Sequence, residues 1–169
     1  RRLCRMYGAD PVFILASATA TNAGEAGGRL IGEKTVEVVA DDTSPHAARD
    51  GVLWQPSDTA PHDAARVMAG LVDEGKQVIT FVASRTMAEL IAVRAQDRVT
   101  RGGQIASYRS GYLAQDRRGI ERALSGGALR GVAATNALEL GIDVAGMDAV
   151  IICGFPGTLA ALWQQAGRA

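Results

Sequence analysis

A short apolar run that ends in polar side chains is the part of this sequence best suited to chemistry. Residues 131–134 are typical of a buried strand, and Thr135 and Asn136 follow directly. In an open α/β sheet, ligands bind just outside the carboxyl ends of the strands. Gly141 and Asp143 then place a carboxylate after a conformationally permissive glycine. We therefore expect this stretch to contact a ligand.

A second polar pair lies near the end of the chain. Gln164 and Arg168 are four residues apart and share one face if the segment is helical. An amide and a guanidinium in this arrangement can bind a phosphate or the edge of a sugar.

Two further apolar runs also end in polar side chains. Residues 12–16 and 77–82 are typical of buried strands, and small hydroxyl groups or an arginine follow each one. These polar residues are Ser17 and Thr19 after the first run, and Ser84 and Arg85 after the second.

The elements that must position these residues alternate along the chain. Strands are predicted over residues 12–16, 35–39, 51–55, 77–82, 104–108, 130–135 and 148–153. Helices are predicted over residues 1–8, 23–31, 61–75, 87–94, 116–124 and 158–164. From Val52 onward the alternation predicts an α/β fold with a parallel sheet and helical crossovers. Trp54 and Trp163 are interpreted as packing residues.

Composition limits the possible functions. The chain has 169 residues, 47% of them hydrophobic, which suffices for one core and part of a second. Its 18 basic and 18 acidic residues cancel, so nucleic-acid binding would depend on local placement of charge. No apolar run approaches the roughly 18 residues of a membrane span, and the two cysteines lack metal-site spacing. We expect a fragment of a cytoplasmic protein that is not bound to a membrane.

The four polar segments, taken in order, resemble motifs III, IV, V and VI of superfamily 2 helicases. The resemblance is greatest to RecQ-related DNA helicases of DEAD/DEAH type that carry a cysteine-cluster domain after the motor. Residues 108–113, before motif V, are also similar to that group. The segments are Ser17-Ala18-Thr19-Ala20, Phe81 to Arg85, Ala134 to Asp143, and Gln164 to Ala169.

The resemblance implies a two-lobed motor of RecA-like folds. Residues 1–44 would be the end of the first lobe, and residues 45–169 the second lobe, a RecA-like parallel sheet flanked by helices. ATP with Mg²⁺ would bind between the lobes, with most Mg²⁺ ligands upstream of this sequence. Single-stranded or forked DNA, or RNA, would lie across the lobes, and a further C-terminal domain would follow.

The resemblance also implies a role for each polar residue. Arg168 and Gln164 would act on the γ-phosphate as catalytic residues. The residues expected to bind ATP or couple its state to the lobes are Ser17, Thr19, Gly141 and Asp143. Those expected to bind nucleic acid are Ser84, Arg85, Thr135 and Asn136.

Structural roles are the alternative for several of these residues. Ser17 and Thr19 could form a local turn, and Arg85 could be a solvated arginine at a helix start. The alternative for the whole chain is a non-catalytic RecA-like module that binds nucleic acid or a protein. A dinucleotide enzyme is disfavoured because no GxGxxG segment follows a predicted strand.

Overall fold

The computed structural model describes residues 2–17, 19–34, 36–41, 43, 48–135 and 147–169. Three predicted site residues, Asn136, Gly141 and Asp143, lie outside these ranges. The chain divides into two compact units, Arg1–Ala48 and Arg49–Ala169. The sequence placed the division between residues 44 and 45, and the assignment of the first unit to a helicase lobe stays a prediction.

The first unit contains two described helices, α1 (Arg2–Met6) and α2 (Ala23–Ile31). Helix α2 ends at Gly32, whose backbone is left-handed with φ 73°. The Gly32 N–H donates to the carbonyl of Gly28 at 2.8 Å, which closes the last turn. The predicted bounds of this helix are confirmed.

The strands predicted in the first unit are absent from its described residues. Residues 12–16 and 36–39 belong to no strand. Val12 and Ile14 are about nine-tenths exposed, at 89% and 91%, whereas the intervening Phe13 and the following Leu15 are half as exposed. The segment therefore has the alternation of a strand, but a strand also needs hydrogen-bonded neighbours. None of the described residues of this unit supplies one.

The second unit carries four strands and four helices among its described residues. The helices are α3 (Ala60–Asp73), α4 (Arg85–Gln96), α5 (Ala114–Ser125) and α6 (Leu159–Ala166). The strands are β1 (Val78–Val82), β2 (Gln104–Tyr108), β3 (Leu129–Ala134) and β4 (Ala149–Cys153). Their order in the sheet is β2-β3-β1-β4, and every pairing is parallel. The predicted parallel sheet is confirmed.

Strand β1 lies at the centre of the sheet and all five of its residues are buried. Val78 and Val82 pack in one core cluster with side chains of α3 and α4. Ile79 and Phe81 pack in a second cluster with Tyr108 of β2 and side chains of α5. A sheet covered on both faces explains why every residue of this strand is buried rather than every second one.

The strand predicted over residues 51–55 is wrong. These residues are exposed and belong to no strand. Trp54 is instead held by its indole N–H, which donates to Oδ2 of Asp63 in α3 at 3.0 Å. Trp54 and Trp163 are 57% and 69% exposed, so neither belongs to the core of this unit.

Candidate nucleic-acid and nucleotide site

The parallel register brings the carboxyl ends of all four strands to one edge of the sheet. Ala134 of β3 pairs with Phe81 of β1 on one side and with Tyr108 of β2 on the other. Val82 of β1 pairs with Cys153 of β4. The four strands end at Val82, Tyr108, Ala134 and Cys153, and the residues that follow these ends form what we call the carboxyl edge. Its members in the described chain are residues 83–85, 109–112, 135 and 154–158.

Ser84 and Arg85 begin α4 at this edge. The Ser84 hydroxyl caps the helix by accepting from the backbone N–H of Met87 at 3.2 Å. A serine hydroxyl also has a proton to donate, so capping leaves it able to bind a phosphate oxygen. Arg85 is exposed at the first helical position, where the helix dipole adds partial positive charge. This part of the edge can hold an anion.

Thr135 follows β3 at the same edge but is largely buried, with 7% of its surface exposed. Its backbone N–H donates to the carbonyl of Tyr108 at 3.4 Å. The structure thus brings Thr135 beside the other predicted residues, with little surface of its own for a ligand.

Arg109 was not among the predicted site residues, although it follows β2 as Ser84 follows β1. Its Nε donates to Oε1 of Glu89 in α4 at 2.6 Å. Its guanidinium carbon lies 4.7 Å from the ring centroid of Tyr112. The hydrogen bond to Glu89 raises the pKa of Arg109, which keeps the group charged. The signal in the sequence is that Arg109 directly follows the strand predicted over residues 104–108.

The phenol of Tyr108 lies on the other face of β2. It donates to Oε1 of Glu121 in α5 at 2.7 Å. Burial, together with this hydrogen bond, raises the pKa of Tyr108 to about 12. The residue therefore stays neutral and joins α5 to the sheet.

Gln164 in helix α6 and Arg168 just after it are the two residues predicted to act on the γ-phosphate. Thr158 caps this helix by accepting from the N–H of Ala161 at 3.1 Å. Gln164 lies within the helix and is half-buried, whereas Arg168 lies just beyond the end at Ala166. The Arg168 N–H donates to the carbonyl of Gln165 at 3.2 Å, so one further turn extends the helix.

Ser17 and Thr19 belong to the first unit. The Ser17 hydroxyl accepts from the backbone N–H of Thr19 at 3.3 Å. This contact is the local turn that the sequence offered as the structural alternative. Their coupling to a nucleotide stays a prediction.

No group of three or more His, Cys, Asp and Glu side chains in the described ranges could hold a metal ion. None of the helices in the described part of the chain has the length and apolar character needed to cross a membrane.

Residues 63–169 match the model of the helicase conserved C-terminal domain. The chain belongs to this family. The match begins in α3 and includes the whole sheet with its carboxyl edge. The resemblance found in the sequence is thereby confirmed, as is the RecA-like fold.

Relatives of this helicase C-terminal domain are much longer proteins. The chain is 39% identical to the ATP-dependent helicase YprA of Bacillus subtilis, over all of this chain and 24% of that protein. It is 35% identical to the ATP-dependent helicase HRQ1 of Saccharomyces cerevisiae, over 99% of this chain and 17% of that protein. The chain thus spans about a quarter or less of the length of these relatives.

A solved structure supports the same relationship. The crystal structure of the DUF1998 helicase MrfA bound to DNA and AMPPNP matches 99% of this chain and 25% of that one. The TM-score is 0.87 at 37% identity. The C-terminal domain of the DEAD-box protein Dbp5 is 20% identical with a TM-score of 0.51, which shows the fold alone.

Proposed function

We propose that this chain is the second lobe of an ATP-dependent DNA helicase or translocase, together with the end of the first lobe. The whole protein would act on single-stranded or forked DNA in the cytoplasm, with a role in repair. A first lobe and a further C-terminal domain of the same protein would complete it.

One observation carries this proposal. Four parallel strands end at a single edge, and polar or basic residues follow three of them: Ser84, which is exposed, Arg109, which is half-buried, and Thr135, which is largely buried. Hydroxyls, arginines and helix N-termini are the usual partners of nucleic-acid phosphates, and such contacts position a strand without reading its sequence. The DNA in the MrfA structure supports the same ligand for this chain.

Gln164 in α6 and Arg168 just after it have side chains whose chemistry suits a nucleoside triphosphate. The amide of Gln164 and the guanidinium of Arg168 are both donors to phosphate oxygens. Arg168 would stabilise negative charge on the γ-phosphate, and Gln164 would orient the phosphate or the attacking water. ATP, when bound, supplies the phosphoanhydride bond whose hydrolysis powers movement. The involvement of Mg²⁺ rests on the family resemblance, since the described residues offer no cluster for it.

ATP turnover by the full-length protein, with and without single-stranded DNA, tests the proposal. We expect DNA to stimulate turnover and Arg168→Ala to reduce it by about 10³-fold or more while largely sparing ATP binding. Arg101→Ala is the control, because Arg101 is an exposed residue in the turn before β2, at the opposite edge of the sheet.

The two possible failures point to different conclusions. Turnover that survives Arg168→Ala would refute the role of this residue. DNA binding without ATP turnover in the unsubstituted protein would refute the helicase proposal and favour the non-catalytic module.

A further inference from the structure

Arg109 is held from two directions at the carboxyl edge. Glu89 accepts from its Nε at 2.6 Å, and the ring of Tyr112 lies 4.7 Å from its guanidinium carbon. Tyr112 is itself fixed, because its hydroxyl is 2.6 Å from Oγ of Ser107 in β2. A chain of contacts from α4 and β2 therefore orients one guanidinium.

The backbone next to Arg109 is shaped to admit this arrangement. Gly111 has a φ of +105°, a conformation that side chains rarely adopt. A Cβ at this position would lie 3.2 Å from Nη1 of Arg109. A glycine at 111 thus permits both the turn and the close approach of the guanidinium.

The contribution of these contacts to the stability of the fold explains little of why the cluster is arranged in this way. The side chains of Arg109 and Glu89 are 26% and 46% exposed, and ion pairs as exposed as this contribute little to folding. A binding role accounts for the geometry better. An arginine ordered in advance loses less side-chain entropy when it binds, and Glu89 occupies only one of its five N–H donors.

We propose that Arg109 contacts a phosphate of the bound strand and that Glu89 is the positioning residue that orients it. This inference rests on the proposed nucleic-acid function of the carboxyl edge. A phosphate is the expected ligand because the guanidinium lies at the same edge as the Ser84 hydroxyl and the N-terminus of α4. Together these groups suit an anion. They do not form a set of hydrogen-bond acceptors that could recognise a base.

The test measures binding of fluorescein-labelled oligo(dT) to the full-length protein by anisotropy at several NaCl concentrations. Arg109→Gln should weaken binding about tenfold. It should also reduce the slope of log K against log salt by about 0.7, the value for one phosphate contact on a single strand. Arg101→Gln removes the same charge at the other end of β2 and should leave affinity and slope unchanged.

Substitutions of Glu89 distinguish its role in orienting Arg109 from the effect of its negative charge on phosphate binding. Removal of a carboxylate near a phosphate should by itself tighten binding. We expect Glu89→Ala to weaken binding several-fold instead, with the salt slope retained, because Arg109 keeps its charge but loses its orientation. Glu89→Gln should restore most of the affinity, since an amide oxygen can still accept from Nε.

Each outcome decides the matter. Tighter or unchanged binding by Glu89→Ala would overturn the positioning role. Unchanged binding by Arg109→Gln, with the unsubstituted protein binding normally, would overturn the phosphate contact and leave the proposed function intact. If the unsubstituted protein fails to bind oligo(dT), both proposals are wrong. Should Arg109→Gln fail to fold by circular dichroism, Arg109→Lys keeps the charge, removes the Nε bond and should match Glu89→Ala.

Discussion

Gly131 in β3 provides a sharp test of how the sheet and α3 pack. A Cβ at this position would lie 2.8 Å from Cε of Met68 and 2.9 Å from Cγ1 of Ile105. It would also lie 3.2 Å from Cγ2 of Val72. The methionine methyl can move, but the branched side chains of Ile105 and Val72 are stiff. A methyl group at residue 131 should therefore press α3 away from the sheet.

The magnitude follows from two opposing terms. Extra methyl groups in a packed core typically cost about 1–3 kcal/mol. Replacement of glycine by alanine stabilises the folded state by about 0.4–1 kcal/mol, because the unfolded chain has less conformational freedom. We expect Gly131→Ala to lower the free energy of unfolding by about 1 kcal/mol.

Gly70 in α3 is the matched control. It is exposed, and a Cβ there would meet nothing within 4 Å. The same change, Gly70→Ala, should raise the free energy of unfolding by about 1 kcal/mol, the usual gain in a helix. One substitution made at two sites should thus have effects of opposite sign.

Urea unfolding followed by tryptophan fluorescence measures both variants. The two tryptophans, Trp54 and Trp163, belong to the unit that contains the sheet. For a dependence of about 2 kcal/mol per molar urea, the midpoints of the two variants should differ by about 1 M. The reasoning is refuted if Gly131→Ala unfolds at or above the urea concentration of the unsubstituted protein while Gly70→Ala behaves as expected.

Two further predictions concern buried polar groups. Among the described residues, the fully buried Thr80 hydroxyl has no hydrogen-bond partner. Thr80→Val should therefore raise the free energy of unfolding by about 1 kcal/mol in urea titrations. Thr80→Ser, which keeps the hydroxyl, should lower it. Hydrogen bonds from Trp54 and Ser57 lower the pKa of Asp63 from 3.8 to about 2. Because the folded-state pKa is the lower one, this stabilisation is present above about pH 4 and is lost as pH falls through about 2. With Trp163→Phe, the fluorescence of Trp54 should change near pH 2, and Asp63→Asn should abolish that change; a transition near pH 4 would contradict the assignment.

The sheet of the second unit was predictable because local pattern and tertiary packing agree there. Residues 77–82 and 104–108 are short runs bounded by turns, and the helix between them, α4, has one apolar face. The order β2-β3-β1-β4 was not predictable, since pairing depends on contacts distant in sequence. A parallel sheet nevertheless implies that the carboxyl ends of the strands meet at one edge. The edge could therefore be expected before the order of the strands was known.

The failed strands show what sequence pattern leaves out. Residues 12–16 and 51–55 are apolar enough for strands, yet apolar content alone shows neither whether a segment is buried nor whether it has a hydrogen-bonding neighbour. The Glu89–Arg109 contact was missed for a related reason. The two residues are twenty positions apart in sequence, and only the packing of α4 on β2 brings them together.

The structure shows how the acidic and basic side chains of the chain are distributed between the two edges of the sheet. At the edge opposite the carboxyl edge, two acidic side chains accept hydrogen bonds from the backbone. Asp73 accepts from the backbone N–H groups of Thr100 and Arg101, and Asp148 accepts from that of Gln77. At the carboxyl edge, Arg85 and Arg109 contribute two guanidinium groups, and the carboxylate of Glu89 in the neighbouring helix α4 orients the second of them. A formal net charge of zero is therefore compatible with an edge that attracts phosphates, because the direction of the strands determines where each charge lies.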